Sequence, residues 1–183
     1  ESTVEEWFKP AAYALILLRE AGLPCVFYGD YYGIKGEFAQ DSFQTVLDKL
    51  LDIRLNLAYG EQTDYFDDEH CIAWTRSGKD NGQPIAVILT NDQANSKRMY
   101  IGENWAGKKF KDYLGNCSES VTIENDGWAD FPVAEKSVSV WSAKKNKKHS
   151  EIRTEFHILC YPRQSNKVKV RRYFYPTDSI NTK

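Results

Sequence analysis

The sequence predicts an α+β protein in which a helix–strand–helix unit is followed by an antiparallel, Greek-key-like β-sandwich and then an irregular basic tail. Apolar residues at helical spacing are confined to the first third of the chain. Short runs rich in β-branched and aromatic residues, separated by turn signals, fill the middle. The charge changes abruptly near Lys144. These observations predict three units, residues 1–60, 61–143 and 144–183.

The first predicted helix follows a capping box, in which Thr3 is the N-cap and Glu6 lies three residues later. Pro10 lies too far along to be the first helical residue, so we expect a late start or a kink there. Gly22 is a typical helix stop. The apolar residues that recur at helical spacing are Trp7, Phe8, Ala11, Ala14, Leu15 and Leu18.

A short apolar strand is predicted over Pro24–Tyr28, followed by a polar and aromatic stretch that contains Asp30. A second helix then begins at Asp41 or Ser42 and ends near residues 59–60. A helix, a short apolar strand and a second helix are typical of a parallel sheet covered by helices. In such folds the polar residues at the carboxyl end of a strand are where functional sites occur.

Residues 61–143 are predicted to be all β. The runs that indicate strands are TDYF, CIAWTRS, PIAVILTN, KRMYIG, KFKDYL, SVTI and SVSVWSA. Asn81–Gly82 predicts a hairpin turn, and Asp126–Gly127 is a further turn signal. Because strand side chains alternate between two faces, we expect Ile72 and Trp74 to point together into the core.

The charge is divided unevenly along the chain. Residues 1–143 carry 13 Lys/Arg and 23 Asp/Glu, whereas residues 144–183 carry 11 Lys/Arg and 3 Asp/Glu. A basic segment of this kind could bind nucleic acid through phosphate contacts. The alternative, a disordered extension after the last strand of the sandwich, is the one the sequence favours, because the segment has no sustained periodicity.

The composition also indicates the setting of the chain. The four cysteines, Cys25, Cys71, Cys117 and Cys160, show no short pairing pattern, which favours a reducing, cytoplasmic setting. The longest apolar run has eight residues, so we expect no membrane span. The chain does not begin with Met, from which we expect that it was cut from something longer or processed. Motifs for a nucleophile elbow, a phosphate-binding loop, a dinucleotide site and a zinc protease are missing from the sequence.

The stretch WFKPAAYALILLREAGLPCVFYGDYYG resembles the end of the catalytic barrel in bacterial α-amylases of the large retaining glycoside-hydrolase family. AYGEQTDYFDDEHCIAWTRSG, KRMYIGENWAGKKFKDYLGN and VTIENDGWADFPVAEKSVSVW are similar to that family's C-terminal β-sandwich. The likeness covers about residues 1–142. It implies the last unit of a (β/α)₈ barrel plus a sandwich, from an enzyme that hydrolyses α-1,4 bonds of starch or glycogen. The rest of the barrel would be the partner of this chain.

The resemblance assigns no catalytic residue to this chain. Retaining glycosidases need two carboxyl groups about 5–5.5 Å apart, and the family motifs that supply them find no match here. Asp30 belongs to the family's signature around the eighth barrel strand, and its expected role is to support the site. Tyr31, Tyr32 and Lys35 are candidates for lining the sugar cleft of the intact enzyme, with ordinary loop packing as the alternative.

Two further groups of residues are candidates for binding. Some relatives in the family hold calcium with a His–Asp pair and a later Asp, at positions that correspond here to Glu69, His70 and Asn91. This departure from the pattern favours a solvated acidic turn over a calcium site. Trp105 and Trp128 lie near turns and could present a glucan-binding surface, although packing at the sandwich edge is the favoured interpretation.

Three functional hypotheses therefore follow. The first is a C-terminal fragment of an α-amylase-like enzyme that is inactive by itself. The second is a non-catalytic glucan-binding sandwich that uses Trp105 and Trp128, and the third is a protein that associates with nucleic acid through the basic tail. Under the first, the predicted strand lacks neighbours, so its edges around Val26 and Phe27 are open to other chains and residues 1–60 are loosely held or aggregate.

Overall fold

The apolar periodicity of the chain produces three layers in the computed structural model, which describes residues 4–79 and 82–143. A helical layer packs on one face of a six-stranded antiparallel sheet, and a two-stranded sheet packs on the other face. The helices are α1 Lys9–Leu18, α2 Tyr28–Tyr32 and α3 Gln44–Asn56. The strands are β1 Gln62–Tyr65, β2 Cys71–Arg76, β3 Ile85–Thr90, β4 Asn95–Tyr100, β5 Lys109–Asp112, β6 Ser120–Thr122, β7 Trp128–Val133 and β8 Val138–Ser142.

Helix α1 begins late, as the position of Pro10 predicted. A 3₁₀ turn over Glu6–Phe8 precedes it, and Pro10 is its second residue. Proline is tolerated there because the first helical N–H groups have no intrahelical partner. Thr3, the predicted cap, lies outside the described residues.

Helix α3 begins at Gln44, two or three residues after the predicted start at Asp41 or Ser42. The hydroxyl of Ser42 accepts a hydrogen bond from the Gln44 N–H at 3.1 Å and donates one to the Tyr31 carbonyl at 2.6 Å. Ser42, which precedes the N-cap Phe43, thereby satisfies one of the N–H groups that a helix start leaves without an intrahelical partner. Here the same hydroxyl also ties the start of α3 to α2.

The segment predicted as a strand, Pro24–Tyr28, forms no strand ladder within the described residues, and the barrel strand that the resemblance implies there stays a prediction. The backbone at Phe27 is extended, with φ −75° and ψ 131°, but no strand pairs with this segment in the part of the chain that the structure describes. A strand forms only when its N–H and C=O groups find a neighbouring strand. Helix α2, which the sequence analysis missed, then begins at Tyr28, where the Phe27 carbonyl accepts the Tyr31 N–H at 3.2 Å.

The six-stranded sheet has the order β1-β2-β3-β8-β5-β6, and the second sheet pairs β4 with β7. All the strand pairings among the described residues are antiparallel, as the sequence predicted. Strands β2 and β3 pair from Cys71 opposite Thr90 to Arg76 opposite Ile85. This arrangement agrees with the predicted hairpin, although Asn81 of its turn lies outside the described residues.

Strand β3 separates two apolar cores. Ile85, Val87 and Leu89 face the helices, whereas Ala86 and Ile88 face the two-stranded sheet. All six residues of β3 are buried, because both faces of the sheet are covered. The core between the helices and the sheet contains side chains from both sides of residue 60. The predicted division of the chain at that residue stays a prediction.

Ile72 and Trp74 point into the core, as expected, and the core they enter is the one between the six-stranded sheet and the helices. Trp74 is fully buried and Ile72 packs beside it, while their neighbours Cys71 and Ala73 face the two-stranded sheet. A period of two predicts which residues share a face of a strand. It carries no information on which layer covers that face.

The sequence analysis missed strand β7, which contains Pro132, and proline is excluded from central strands. The structure accommodates Pro132 because β7 pairs with β4 alone, so that one side of β7 needs no ladder donor. The predicted turn before β7 is present, with Gly127 at φ 81° and its N–H bonded to the Glu124 carbonyl at 3.1 Å.

Among the described helices, none is both long enough and apolar enough to cross a membrane. The predicted basic tail, residues 144–183, lies outside the described residues, and its expected irregularity stays a prediction.

Candidate functional site

Asp30 lies in α2, buried between the helices, with 8% of its surface exposed. Its carboxylate accepts three hydrogen bonds from side chains far apart in the sequence. Lys9 Nζ lies 2.8 Å and Gln40 Nε2 2.7 Å from Oδ1, and the Tyr13 hydroxyl lies 2.5 Å from Oδ2. The carboxylate is therefore fully engaged by partners from α1 and from the loop before α3.

The same residues are bonded to one another and to the backbone, so they form a network. Lys9 Nζ also lies 2.8 Å from Gln40 Oε1, and the Tyr13 hydroxyl accepts the Phe27 N–H at 3.2 Å. The backbone carbonyl of Asp30 accepts the Phe43 N–H at 2.8 Å. The network fixes α1, α2 and the start of α3 relative to each other.

The electrostatics of Asp30 keep it ionised. Burial by itself would raise the pKa of its carboxyl, but the hydrogen bonds from Lys9, Tyr13 and Gln40 together hold the pKa below its ordinary value. Burial and the bond to Asp30 raise the pKa of the Tyr13 hydroxyl, which therefore stays a neutral donor. A general acid near neutral pH needs the opposite shift in its carboxyl. The arrangement suits a structural anchor.

The candidate cleft residues next to Asp30 differ in exposure. Tyr31 is buried, and its hydroxyl donates to Asp48 of α3 at 2.5 Å. Burial and that carboxylate raise the pKa of Tyr31 to about 12. Tyr32 is 53% exposed, with its ring centroid 4.7 Å from that of Tyr28, and Lys35 is exposed. Tyr32 and Lys35 thus reach solvent beside the Asp30 network, whereas Tyr31 packs inward.

Trp105 and Trp128 have different environments. Trp105 is half-buried against the core between the sheets, with its ring edge-on to Phe110 at 5.8 Å. Trp128 lies at the start of β7, directly opposite Tyr100 of β4, and the two ring centroids are 5.5 Å apart. Of the two tryptophans, Trp128 lies with Tyr100 on the side of the two-stranded sheet that faces away from the core.

Glu69, His70 and Asn91 lie together but do not fit a calcium ion. His70 Nδ1 is 3.2 Å from Asn91 Oδ1, and Glu69 Oε1 is 3.7 Å from His70 Nε2. Calcium takes six to eight oxygen ligands, and this donor set offers one carboxylate and one amide oxygen that already contacts the imidazole. Within residues 4–79 and 82–143, no three His, Cys, Asp or Glu side chains gather as a metal site would require.

The sequence analysis missed the polar contacts that join the helices to the sandwich. The Tyr113 hydroxyl donates to the buried carboxylate of Asp52, which also accepts Asn56 Nδ2 at 2.7 Å. Lys49 Nζ lies 2.5 Å from the carbonyl of Leu114. Asp52 carries little sequence signal, since helical spacing places it away from Leu47 and Leu50 of the apolar face, where a polar residue is ordinary. The partner itself lies 61 residues away and has no local signature.

Comparisons with known proteins show which sequences and structures this chain resembles. Residues 85–142 match the profile of the family described as Alpha-amylase C-terminal. The chain is 48% identical over 147 residues to "Alpha-amylase" of Geobacillus stearothermophilus, covering 79% of this chain and 27% of that protein. It is 43% identical over 150 residues to "Cytoplasmic alpha-amylase" of Escherichia coli (strain K12), covering 77% of this chain and 30% of that protein.

A third relative, "Glucan 1,4-alpha-maltohexaosidase" of Bacillus sp. (strain 707), is 46% identical over 147 residues, covering 79% of this chain and 28% of that protein. The chain thus spans somewhat over a quarter of the length of the curated relatives it matches. In structure it is similar to a gamma-CGTase from alkalophilic Bacillus clarkii, with TM-score 0.55 and 18% identity, covering 78% of this chain and 24% of that one. At that identity the similarity supports the fold alone.

Proposed function

Because the chain matches the C-terminal portion of bacterial α-amylases, we propose that it is the C-terminal β-sandwich module of an α-glucan hydrolase, together with the adjoining end of the catalytic domain. In this proposal residues 1–60 are the last unit of a (β/α)₈ barrel and residues 61–143 are the sandwich. The intact protein hydrolyses α-1,4 bonds of starch or glycogen with retention of configuration.

The observation that carries this proposal is the junction between the helices and the six-stranded sheet. Buried side chains of α1, α3, β2, β3 and β8 share one core, and the Asp52–Tyr113 contact adds a buried polar link. A junction of this kind orients helices rigidly. The module would therefore hold the end of the barrel, and with it the Asp30 network, in a fixed position.

We propose that the catalytic carboxylates come from the remainder of the longer protein. A retaining mechanism needs a nucleophile and a separate acid/base carboxyl. The best-placed carboxylate here, Asp30, is occupied by three donors and has a lowered pKa. Tyr32 and Lys35, which reach solvent beside it, are the residues we propose to face the glucan.

A chimera tests the proposal directly. The corresponding C-terminal portion of the Geobacillus stearothermophilus α-amylase is replaced by residues 1–143 of this chain, and release of reducing sugar from soluble starch is measured. The chimera is expected to hydrolyse starch, with KM raised several-fold by Tyr32→Ala and unchanged by Tyr59→Ala, a partly exposed tyrosine after α3. A soluble, folded chimera without activity would contradict the proposal.

The isolated chain gives the complementary measurement. The purified 183-residue protein is expected to release no reducing sugar from starch above a buffer blank, with an intact α-amylase as the positive control. Reproducible turnover that is lost in Asp30→Asn would overturn the assignment of Asp30 as a structural anchor.

We also propose a cytoplasmic setting. One relative is named a cytoplasmic α-amylase, and the three cysteines in the part of the chain that the structure describes are free thiols. Unpaired thiols are typical of reducing compartments. Glu69, His70 and Asn91 offer one carboxylate and one amide oxygen, so for these residues we propose a solvated acidic turn.

A further inference from the structure

The carboxylate of Asp112, the last residue of β5, accepts four backbone N–H groups of the sandwich. Its Oδ1 accepts the N–H of Leu114 at 3.1 Å and that of Val140 at 2.9 Å. Its Oδ2 accepts the N–H of Asn116 at 2.7 Å and that of Cys117 at 3.0 Å. A carboxylate has about four acceptor sites, so both oxygens are fully used. Asp112 therefore fixes the turn after β5 to the neighbouring strand β8.

The turn after β5, residues 113–117, contacts helix α3, and we call it the docking loop. The buried hydroxyl of Tyr113 donates to the carboxylate of Asp52, and the carbonyl of Leu114 accepts Lys49 Nζ at 2.5 Å. Both loop residues are buried. The shape of the docking loop, which the four N–H bonds to the carboxylate fix, therefore determines where the sandwich contacts α3.

The first turns of α3 and the residue before them hold the short helix α2 through three hydrogen bonds. The Tyr31 hydroxyl donates to Asp48 at 2.5 Å, and the Tyr31 carbonyl accepts the Ser42 hydroxyl at 2.6 Å. The Phe43 N–H donates to the Asp30 carbonyl at 2.8 Å. The position of α3 therefore sets the position of α2.

The two sets of contacts use neighbouring positions of α3. Asp48, which contacts α2, and Asp52, which contacts the docking loop, are four residues apart. Side chains at this spacing lie next to each other on a helix. Tyr32 follows Tyr31 in α2, and their ring centroids are 4.7 Å apart. A short series of direct contacts thus leads from the sandwich to Tyr32, which reaches solvent beside the Asp30 network.

We propose that Asp112 is a positioning residue of the intact protein. It acts through the docking loop on α3, and through α3 it sets the position of Tyr32 at the glucan. The inference rests on the proposed function, because Tyr32 has a ligand to contact only if the intact protein binds a glucan there. Coupling of this kind is measured as a change at the distant site when Asp112 is altered.

Hydrogen exchange of the full 183-residue chain tests the coupling. Asp112→Asn keeps the size of the side chain but replaces one acceptor oxygen by a donor group, so two of the four N–H bonds are lost. The amides of α2 and α3 are expected to exchange about tenfold faster or more, and those of β3 are expected to be unchanged.

Asp126→Asn is the matched control for this measurement. The Asp126 carboxylate also accepts a backbone N–H, that of Trp128 at 3.1 Å. It lies next to the two-stranded sheet, on the side of the molecule away from the helices. The control is therefore expected to leave exchange in α2 and α3 unchanged.

The starch chimera separates positioning from general destabilisation. Asp112→Asn is expected to raise KM for starch several-fold and to leave kcat unchanged, because Tyr32 is proposed to bind the glucan without taking part in bond cleavage. In a chimera that already carries Tyr32→Ala, Asp112→Asn is expected to change KM by less than about twofold, since residues that act through one another are not additive. Asp126→Asn is expected to leave KM unchanged in both backgrounds.

Tyr31→Phe interrupts the same series of contacts at a second point and keeps the inference testable if Asp112→Asn does not fold. It removes the hydroxyl that donates to Asp48 and leaves the docking loop as it is. The amides of α2 are expected to exchange faster in this variant, those of the docking loop are expected to be unchanged, and KM for starch is expected to rise.

Three outcomes would overturn the inference. They are unchanged exchange of the α2 amides in Asp112→Asn, equally faster exchange in α2 and β3, and an equal rise in KM with and without the Tyr32 side chain. An inactive chimera counts against the proposed function alone, because the exchange measurements on the full chain need no activity.

Discussion

Two runs in this protein, IAVILT at residues 85–90 and LPCVF at residues 23–27, are both apolar but adopt different structures. The first is the central strand β3, in which every residue is buried between two layers. The second is extended, unpaired and largely exposed. The difference is that β3 has β2 and β8 as neighbours. An apolar run therefore becomes a strand only where the remainder of the fold supplies partners.

The two parts of the molecule are also held by different forces. The sandwich is stabilised mainly by apolar packing between its sheets, as around Trp141, Phe131 and Met99. The short helix α2 depends on the buried Asp30 network that joins it to α1. Loss of packing should therefore affect the whole protein, whereas loss of a polar anchor should affect the helical layer first.

The largest effect is expected from Trp141→Ala, which tests the sandwich side of this comparison. Trp141 is fully buried between the sheets, and its indole N–H donates to the Pro132 carbonyl at 3.1 Å. Removing a buried tryptophan costs about 3–5 kcal/mol of unfolding free energy. Urea denaturation measures the loss. Leu23→Ala, on the exposed segment, is the control and should change stability by less than about 0.5 kcal/mol.

An intermediate effect is expected from Asp30→Asn, which tests the helical side. Hydrogen bonds to a charged group contribute about 1.5–3 kcal/mol. Because the pKa of Asp30 is lowered in the folded state, its contribution is present above the ordinary pKa of an aspartate and is lost as the pH falls through the lower folded value.

Urea midpoints of wild type and Asp30→Asn should therefore differ at pH 7 and converge in strong acid. The difference between the two proteins, rather than either value alone, isolates this carboxyl from the other acidic groups. An equal difference in urea midpoint at both pH values would show that the charge of Asp30 does not contribute to stability.

The smallest effect is expected from Tyr113→Phe, at the junction of the two parts. The substitution removes one hydrogen bond from the buried Asp52 carboxylate, which keeps its bond to Asn56, so the cost is about 1.5 kcal/mol, the lower end for bonds to charged groups. Hydrogen exchange should quicken for the amides of α3 and remain unchanged for those of β3. Tyr59→Phe is the matched control, because it removes an exposed hydroxyl that donates to the Leu55 carbonyl of α3. Equal quickening in β3 would mean that helices and sandwich unfold as one unit.

Much of the fold was predictable because its signals are local. Strands β1 to β6 and β8 were indicated by short β-branched and aromatic runs, and the Asp126–Gly127 turn by its sequence. Strand β7 was missed; it contains Pro132, which is acceptable only because β7 has a neighbour on one side. Helix α2 was hidden because the preceding apolar run resembles a strand in composition.

The candidate site was predictable only in part. The supporting role expected for Asp30 stays a prediction, and its hydrogen-bond partners Lys9, Tyr13 and Gln40 were not identified from the sequence. They lie 21, 17 and 10 residues from it, and no periodicity links them. The same limit applies to Tyr113, whose partner lies in a different layer.

The sequence by itself determined the periodic features of this protein: which residues share a face of a helix or strand, where turns interrupt the chain, and that a helical part precedes a β part. Only the tertiary structure decided which layer covers each face, that Leu23–Phe27 pairs with no described strand, and which donors hydrogen-bond to Asp30. The physical reason is that side-chain periodicity is a property of the local backbone. Burial, strand pairing and ion pairing depend on neighbours brought together from distant parts of the chain.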